Sequence, residues 1–230
     1  MRRAPISVVI PAYNGERYLA EAIRSLLQQT LAAAEILVVD DGSTDSSADV
    51  AASFGEPVRV IRQENRGVAE ARNRGIEAAR EPFVAWLDQD DLAMPRRFET
   101  QLAALDVAEG PDVAFGRMAQ FVSPDVPANL RASLRCDERE QPAPLPSCFM
   151  APVRVFETVG LLRGNPDTTF VDWYLRAQEH AVVFHFVPEL IVRRRIHGAN
   201  RSYRNDDMRR DYVRTLKAAL DRRRRPPRDE

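Results

Sequence analysis

One stretch of the chain constrains the fold more than any other: Phe83–Asp91, with the sequence FVAWLDQDD. Its first five residues are apolar without alternation, which is typical of a strand covered on both faces in a parallel sheet. Asp88, Asp90 and Asp91 then follow, at the end of the strand where such sheets bind ligands. Crowded carboxylates repel one another unless a cation lies between them. The stretch therefore predicts either a divalent metal site or an acidic, solvated turn.

Three further apolar segments precede this one, and each is followed by a segment with helical periodicity. The predicted strands are Ile6–Ile10, Ile36–Val39 and Pro57–Ile61, and the predicted helices are Tyr18–Gln29, Ser46–Ser53 and Val68–Ala79. Pro11 has no N–H to donate and is expected to end the first strand. Four strands alternating with three helices predict an α/β fold with βαβ units and a mostly parallel sheet. Because such crossovers are right-handed, the polar residues after the strands should meet at one rim.

The second half is less regular. A long excursion with five prolines is expected over residues 123–146, and excursions of this length are often functional lids or mobile segments. The remaining predicted elements are a helix Met94–Val107, a strand Asp112–Val122, short helices Pro152–Val159 and Phe170–Ala177, strands Val182–Val187 and Leu190–Ile196 joined through Pro188, and a helix Asp206–Leu220.

Composition excludes several classes of protein. The net charge of −1, with 44% hydrophobic and 29% charged residues, is ordinary for a globular protein and argues against nucleic-acid binding. Neither GxGxxG nor GxxxxGK[ST] occurs, so neither a dinucleotide fold nor a phosphate-loop NTPase is supported. Cys136 and Cys148 suggest neither a zinc site nor a disulfide framework. No segment has the ~20 apolar residues of a membrane span, so a cytoplasmic location is expected.

Four motifs occur in a characteristic order: SVVIPAYNGERYLAEAIRSLLQQT, EILVVDDGSTD, ENRGVAEARNRGIEAAR and FVAWLDQDD. Together they resemble the family-2 glycosyltransferases, inverting enzymes of the GT-A fold. The resemblance covers about the first 110 residues and continues more loosely through VDWYLRAQE and RRRIHGANRS. Val171 stands where the family often has an acid, directly before Asp172.

The resemblance implies a nucleoside-diphosphate-sugar donor, most often with a uridine or thymidine base, and one GT-A domain. Residues 1–110 are expected to bind this donor and residues 111–230 to bind the acceptor and to supply a C-terminal helix. The implied cofactor is a divalent cation, Mg²⁺ or Mn²⁺. The implied donor-site residues are Pro11, Tyr13, Asn14, Asp40, Asp41, Arg72, Asp88 and Gln89, and the implied metal ligands are Asp90, Asp88 and His197.

Physical roles can be assigned to several of these residues. A pyrimidine ring needs a flat stacking partner, which Tyr13 can supply, and an acceptor for its imide N–H, which Asp40 or Asp41 can supply. Alternatively, Tyr13 is a packed surface aromatic and the aspartates cap a helix and stabilise a turn. Arg72 can contact a diphosphate or hold Asp88 in place, because an arginine on an apolar helix face needs a partner.

Sugar transfer would need a stabiliser for the departing diphosphate and a base for the acceptor. A cation held by Asp90 would stabilise the departing diphosphate, and His197 is either a further ligand or a structural residue. Inversion requires one displacement and hence one base, for which Asp172 at a helix start is the candidate. The neighbouring Trp173 either stacks on a sugar or belongs to the core.

Two alternatives to glycosyl transfer remain open. A sugar-nucleotide nucleotidyltransferase shares a related layout but would need a Gly-rich signature with Arg or Lys after the first strand, which IPAYNGERY lacks. A non-catalytic nucleotide-sugar-binding protein is compatible with Val171. The acceptor is not specified beyond a saccharide, a lipid-linked saccharide or another hydroxyl compound.

The C-terminal sequence is rich in arginine. Arg222–Arg225 and Arg228, interrupted by Pro226 and Pro227, predict a frayed, solvated end. The alternative is peripheral contact with the inner face of an anionic membrane, to which an exposed Arg193–Arg204 would add.

Overall fold

The computed structural model describes residues 3–106, 112–165, 167–200 and 208–224. It has an α/β fold in which helices flank one mixed sheet. The strands are β1 (Ala4–Ala12), β2 (Ala33–Asp40), β3 (Val58–Arg62), β4 (Phe83–Trp86), β5 (Leu92–Ala93), β6 (Val113–Val122), β7 (Gln141–Ala143), β8 (Met150–Pro152) and β9 (Phe184–Ile196). The helices are α1 (Glu16–Leu27), α2 (Ser47–Ala52), α3 (Val68–Ala78), α4 (Arg97–Asp106), α5 (Ala128–Arg131), α6 (Arg154–Val159), α7 (Thr169–Glu179) and α8 (Met208–Arg224).

The four strands of the first half form a parallel block at one end of the sheet. They lie in the order β3-β2-β1-β4, and each neighbouring pair is parallel. Val8–Ile10 in β1 and Val84–Trp86 in β4 are 0% exposed, because helices or further chain cover both faces. Burial on both faces explains the unbroken apolar runs. The prediction of βαβ units and a mostly parallel sheet is confirmed.

The prediction that Pro11 ends the first strand is wrong. β1 continues one residue further, and Pro11 lies opposite Val39 of β2. On its other side β1 faces β4, where Leu87 donates its N–H to the Val9 carbonyl. β4 ends at Trp86, level with Val9. On this side of β1, no strand of the described chain lies beside Pro11 to accept a backbone hydrogen bond, so the missing N–H of proline costs no ladder hydrogen bond.

The second half extends the same sheet with antiparallel pairs and one long parallel pair. β8 pairs antiparallel with β4 and with β6, and β9 then runs parallel to β6. The short strands β5 and β7 pair antiparallel with β9 and β6. The two halves predicted from the sequence, residues 1–110 and 111–230, are therefore joined by a continuous sheet.

The two strands predicted on either side of Pro188 form one strand, β9. Between its pairs with Phe115 and Arg117 of β6, β9 carries two extra residues, since the partners are Phe186 and Leu190. Pro188 lies in this bulge, where no ladder hydrogen bond is required of it.

Other boundaries also differ from the predictions. α4 begins at Arg97 rather than Met94, because Leu92 and Ala93 pair with β9. The long excursion over residues 123–146 contains α5 and β7 but is otherwise irregular. α8 reaches Arg224, so the predicted fraying of residues 222–224 is wrong, and residues 225–230 lie outside the described chain. Within the described ranges, no helix combines the length and apolar character needed to cross a bilayer.

An aromatic cluster fills the core between the sheet and the helices of the second half. The rings of Trp86 and Phe149 stack with centroids 4.1 Å apart. Trp173 is 0% exposed and packs against Phe149, and its indole N–H donates to the Gly160 carbonyl at 2.9 Å. Trp173 therefore belongs to the core rather than to a sugar-binding surface.

Gly75 sets the distance between α3 and β1. A Cβ at this position would lie 2.2 Å from Val9 Cγ1. Alanine is favoured over glycine in a helix by about 1 kcal/mol, but relieving such an overlap costs about 1–3 kcal/mol. Because the added Cβ would overlap three atoms of Val9, the upper part of this range applies, and we expect Gly75→Ala to lower the free energy of unfolding by about 1–2 kcal/mol in urea denaturation. Arg74→Ala, at the exposed neighbouring position, is the control, and equal stability of the two variants would contradict the close packing.

Candidate active site

A cleft of about 1160 Å³ opens at the rim where the parallel strands end. Its walls come from the turns after β1, β2 and β4, from the start of α3, from the start of α7 and from the turn after β9. The arrangement is the one expected when strand ends of a parallel sheet meet. The predicted residues that line this cleft are Pro11, Tyr13, Asn14, Asp41, Arg72, Asp88, Gln89, Asp90 and His197.

The turn after β1 is fastened to the acidic turn after β4. Tyr13 donates its backbone N–H to Gln89 Oε1 at 2.9 Å, and Gln89 Nε2 donates to the Tyr13 carbonyl at 3.2 Å. A Cβ at Gly15 would lie 2.1 Å from Gln89 Oε1, so glycine leaves room for this pair. The Tyr13 side chain itself is 48% exposed at the cleft wall. Gln89 thus positions the turn, and the Tyr13 ring is available to a ligand.

Asn14 joins the turn after β1 to the turn after β2. Its Oδ1 accepts from the Thr44 backbone N–H at 2.8 Å, and its own N–H donates to Ser43 Oγ at 3.0 Å. Its φ of 47° lies in the left-handed region, which asparagine tolerates better than most residues. Asn14 therefore shapes the cleft wall by holding two turns together.

Asp40 and Asp41 occupy different environments. Asp40 is 0% exposed and does not line the cleft, and its Oδ2 lies 3.2 Å from Arg62 Nε. That oxygen accepts no hydrogen bond of normal geometry, so the contact with Arg62 is one of charge. Asp41 lines the cleft, and its carboxylate accepts backbone N–H groups of Arg66 at 2.9 Å and Gly67 at 2.8 Å. Of the two predicted acceptors for a base, the structure brings only Asp41 to the site.

Arg72 lies under the acidic turn. It is 5% exposed, its Nη2 contacts Asp88 Oδ1 at 2.5 Å, and its guanidinium lies 5.6 Å from the Trp86 ring centroid. Its buried Nε has no hydrogen-bond partner within the described structure. The structure supports the predicted role of holding Asp88, because a buried guanidinium needs an anionic partner.

Asp90 and His197 lie directly against each other. His197 Nε2 is 3.0 Å from Asp90 Oδ2, and Asn200 Nδ2 donates to the same oxygen at 3.2 Å. Asn200 Oδ1 also accepts the His197 backbone N–H at 2.8 Å. Tyr18 packs on the imidazole with ring centroids 4.8 Å apart. Asn200 and Tyr18 thus orient the predicted pair.

The third acid of the turn, Asp91, is structural. It is 3% exposed, and its carboxylate accepts from Ser147 Oγ at 2.7 Å and from the Arg195 backbone N–H at 3.1 Å. Burial, together with the charges of Asp90 and Asp88, raises the pKa of Asp91 well above its usual range. Asp91 therefore ties the acidic turn to β9 and to the turn before β8.

The three arginines at the end of β9 differ in environment. Arg193 is exposed, Arg194 lines the cleft, and Arg195 is 2% exposed. Arg195 Nη2 contacts Glu21 Oε2 at 2.7 Å, and its Nε donates to the Asp90 carbonyl at 3.0 Å. Arg193–Arg204 is expected to add to a basic patch only where it is exposed; Arg195 does not meet that condition, and residues 201–204 lie outside the described chain.

The donor atoms around Asp90 fit a divalent cation that also binds a ligand. Among the described residues, no three His, Cys, Asp or Glu side chains converge closely enough to form a complete metal site. Asp90 and His197 nevertheless offer an oxygen and a nitrogen 3.0 Å apart in the cleft. Mg²⁺ usually takes only one or two protein carboxylates and completes its shell with phosphate oxygens and water. Such a partial set is what a metal–diphosphate complex would use.

The structure does not bring Asp172 into the cleft. Its Oδ2 contacts Arg176 Nε at 2.9 Å and its Oδ1 contacts Arg222 Nη1 at 3.0 Å. The neighbouring Val171 lines the cleft, and so does Asp167 in the turn before α7. The role of Asp172 as a base remains a prediction, whereas Asp167 is a carboxylate that does line the cleft, just before α7. The contact also shows that Arg222 is not part of a solvated tail.

Comparison with known proteins identifies the family. The family model described as Glycosyl transferase family 2 matches residues 7–152. The uncharacterized glycosyltransferase RC0461 of Rickettsia conorii is 31% identical over 210 residues, which cover 84% of this chain and 34% of that protein. The uncharacterized glycosyltransferase YibD of Escherichia coli is 41% identical over 112 residues, covering 47% of this chain and 32% of that protein. The chain thus spans about a third of the length of these curated relatives.

Solved structures share the fold. The structure of S. aureus TarS 1-349 in complex with UDP-GlcNAc superposes with a TM-score of 0.74 at 17% identity, covering 93% of this chain and 65% of that one. The complex of the same protein with UDP gives a TM-score of 0.67, again at 17% identity, covering 94% of this chain and 65% of that one. At this identity the likeness shows the GT-A-type fold alone. Since the family model covers most of the chain and includes the turns after β1, β2 and β4, the chain belongs to glycosyl transferase family 2.

Proposed function

We propose that the protein transfers a sugar from a nucleoside diphosphate sugar to an acceptor hydroxyl, with inversion at the anomeric carbon. The observation that carries this proposal is that one cleft, in a chain of family 2, joins an exposed Tyr13 ring to the carboxylates of Asp41, Asp88 and Asp90. Tyr13 and Asp41 would form the end of the cleft that binds the base, and Asp88 and Asp90 the end that binds the diphosphate.

The donor is proposed to carry uracil or thymine. Tyr13 would stack on the ring, and Asp41 would accept its imide N–H while it keeps the backbone contacts that hold the start of α3. The TarS neighbours are complexes with UDP-GlcNAc and UDP, which supports a uridine donor here by analogy. Residues 1–110 would thus hold the donor, and residues 111–230 the acceptor.

A divalent cation, Mg²⁺ or Mn²⁺, is proposed to be held by Asp90 and His197, with Asp88 nearby. When bound, it would act as a Lewis acid for the diphosphate leaving group. Asn200 keeps Asp90 and His197 together, and Arg72 keeps Asp88 at the cleft. These contacts preorganise the acidic turn, so that little rearrangement is needed when the donor binds.

Transfer is proposed to follow a single displacement. The acceptor oxygen forms a bond to the anomeric carbon as the bond from that carbon to the diphosphate oxygen breaks, and the nucleoside diphosphate leaves with the bonding electrons. The acceptor proton passes to a carboxylate base, for which we propose Asp172. Asp172 directly follows Val171, which lines the cleft, and its Oδ1 contacts Arg222. To act as the base, Asp172 would have to leave Arg222 and contact the acceptor hydroxyl instead.

A panel of nucleotide sugars tests the proposal against its alternatives. The protein is incubated with UDP- and dTDP-sugars and Mn²⁺ or Mg²⁺, with and without added pyrophosphate, and the products are separated. Slow release of free nucleoside diphosphate supports a transferase, because water replaces the missing acceptor. Consumption of pyrophosphate would indicate a nucleotidyltransferase, and binding without turnover a nucleotide-sugar-binding protein.

Membrane contact by the basic C-terminal region is also a proposal.

A further inference from the structure

The C-terminal helix α8 packs on the rest of the molecule through a narrow stripe. Thr215 Oγ1 lies 2.7 Å from Thr168 Oγ1 at the start of α7, and Ala219 is 4% exposed. One turn further, Arg222 contacts Asp172 and Glu179 of α7. Other faces of α8 are exposed on the surface of the described structure.

One of these faces is apolar. Of the nine large hydrophobic side chains that are exposed in the described residues, four lie on this helix: Tyr212 at 39%, Val213 at 65%, Leu216 at 45% and Leu220 at 52%. With 3.6 residues per turn, Val213, Leu216 and Leu220 project within an arc of about 60°. We call these three residues the apolar flank of α8. Single exposed hydrophobics are ordinary, but a contiguous group on one helix marks an interaction surface.

The adjoining face is basic. Residues 208–224 contain seven Arg or Lys and two Asp, a net charge of +5 in a chain whose net charge is −1. At the same helical spacing, Arg224, Lys217, Arg210 and Arg214 fall in the arc next to the apolar flank together with one acid, Asp221, and all five are exposed, which leaves this arc with four positive charges and one negative charge. An apolar strip bordered by cationic side chains is the pattern of helices that lie in the interface of an anionic membrane.

We propose that α8 docks on an anionic lipid surface through its apolar flank and the basic face beside it. Charge complementarity selects this occupant, because an anionic surface complements the net positive charge of the adjoining face and a purely apolar partner would not. The position of the helix adds an argument. Tyr212, at the cleft side of the apolar flank, lines the cleft. Docking would therefore place the cleft mouth next to lipid head groups.

Docking of α8 on lipid has one consequence for the acceptor, and this consequence rests on the proposed function. If the protein is a glycosyltransferase, its acceptor hydroxyl is carried at the lipid surface or on a lipid. The docking itself does not depend on transfer, because the apolar flank lies outside the residues that line the cleft.

Vesicle sedimentation with the full chain tests the docking. Vesicles of phosphatidylcholine alone are compared with vesicles that also contain phosphatidylglycerol. We expect binding only to the anionic vesicles, and loss of most binding in ~0.5 M salt, where the Debye length is about 4–5 Å. The double variant Leu216→Ser, Leu220→Ser should bind at least ~10-fold more weakly. Lys217→Glu should weaken binding by at least ~5-fold, because each basic residue near the surface contributes about that factor.

Leu130→Ser is the matched control, since Leu130 and Leu220 are both 52% exposed but Leu130 lies on α5. It should bind vesicles as the unchanged protein does. No binding of the unchanged protein to anionic vesicles at low salt would overturn the proposal, and so would equal binding by the α8 double variant. A dimer in solution that the double variant converts to a monomer would reassign the apolar flank to self-association.

Release of nucleoside diphosphate, measured without vesicles, should be unchanged in these variants. Vesicle binding by a protein without such release would keep the docking and refute the proposed function.

Discussion

Asp90→Ala is expected to slow sugar transfer at least ~100-fold, the scale of losing a major electrostatic stabiliser of the leaving group. Asp90 contributes the oxygen that lies 3.0 Å from His197 Nε2, so its removal takes away the carboxylate of the proposed cation site. The activating concentration of Mn²⁺ should rise as well, because the cation would depend on His197 and the diphosphate alone. Initial rates over a series of Mn²⁺ concentrations measure both effects.

Two further variants separate metal binding from local packing. Asn200→Ala removes the amide that holds Asp90 Oδ2 but leaves both proposed ligands, so it should lower the rate less than Asp90→Ala does. Asp49→Ala removes an exposed carboxylate of α2 and should have no effect. A near-normal rate and an unchanged metal dependence in Asp90→Ala would refute the assignment of the cation to this turn.

The first half of the fold could be predicted because its signals are local. Apolar runs such as Phe83–Leu87 indicate buried parallel strands, and the handedness of the crossovers brings their ends together. The cleft at that rim, with Tyr13, Asp88 and Asp90 in it, follows from those two rules. The errors in this half concern boundaries, such as the predicted end of β1 at Pro11. Pro11 does not end β1 because the neighbouring strand β4 has already ended there, so no ladder hydrogen bond is lost.

The part of the site that could not be predicted depends on which of two adjacent residues faces the ligand. Neighbouring side chains point to opposite sides of a strand and about 100° apart around a helix, and the sequence does not say which of them faces the cleft. Asp41 faces the cleft while Asp40 is buried against Arg62, and Val171 faces it while Asp172 contacts α8. Such choices are made by contacts between residues far apart in the chain, which a local pattern does not contain.

Asp172→Asn is expected to lower transfer at least ~100-fold while leaving nucleoside diphosphate binding unchanged, because the amide keeps the shape but cannot accept the acceptor proton. The measurements are turnover with a nucleotide sugar and acceptor, and titration calorimetry with the nucleoside diphosphate. Asp167→Asn, which changes the carboxylate that lines the cleft just before α7, is the matched comparison. A large loss in Asp167→Asn with near-normal turnover in Asp172→Asn would assign the base to Asp167.

Arg222→Gln distinguishes a base from a structural contact. Arg222 holds Asp172 Oδ1 at 3.0 Å and also contacts Glu179, so its removal loosens the packing of α8 on α7 without changing either carboxylate. If Asp172 acts as a base once it leaves Arg222, this variant should retain turnover, because it removes the competing partner. If Asp172 serves only to fasten α8, Arg222→Gln and Asp172→Asn should lower the thermal midpoint and the turnover together. Equal losses in the two variants would therefore place Asp172 in the structure of the helix pair and not in the chemistry.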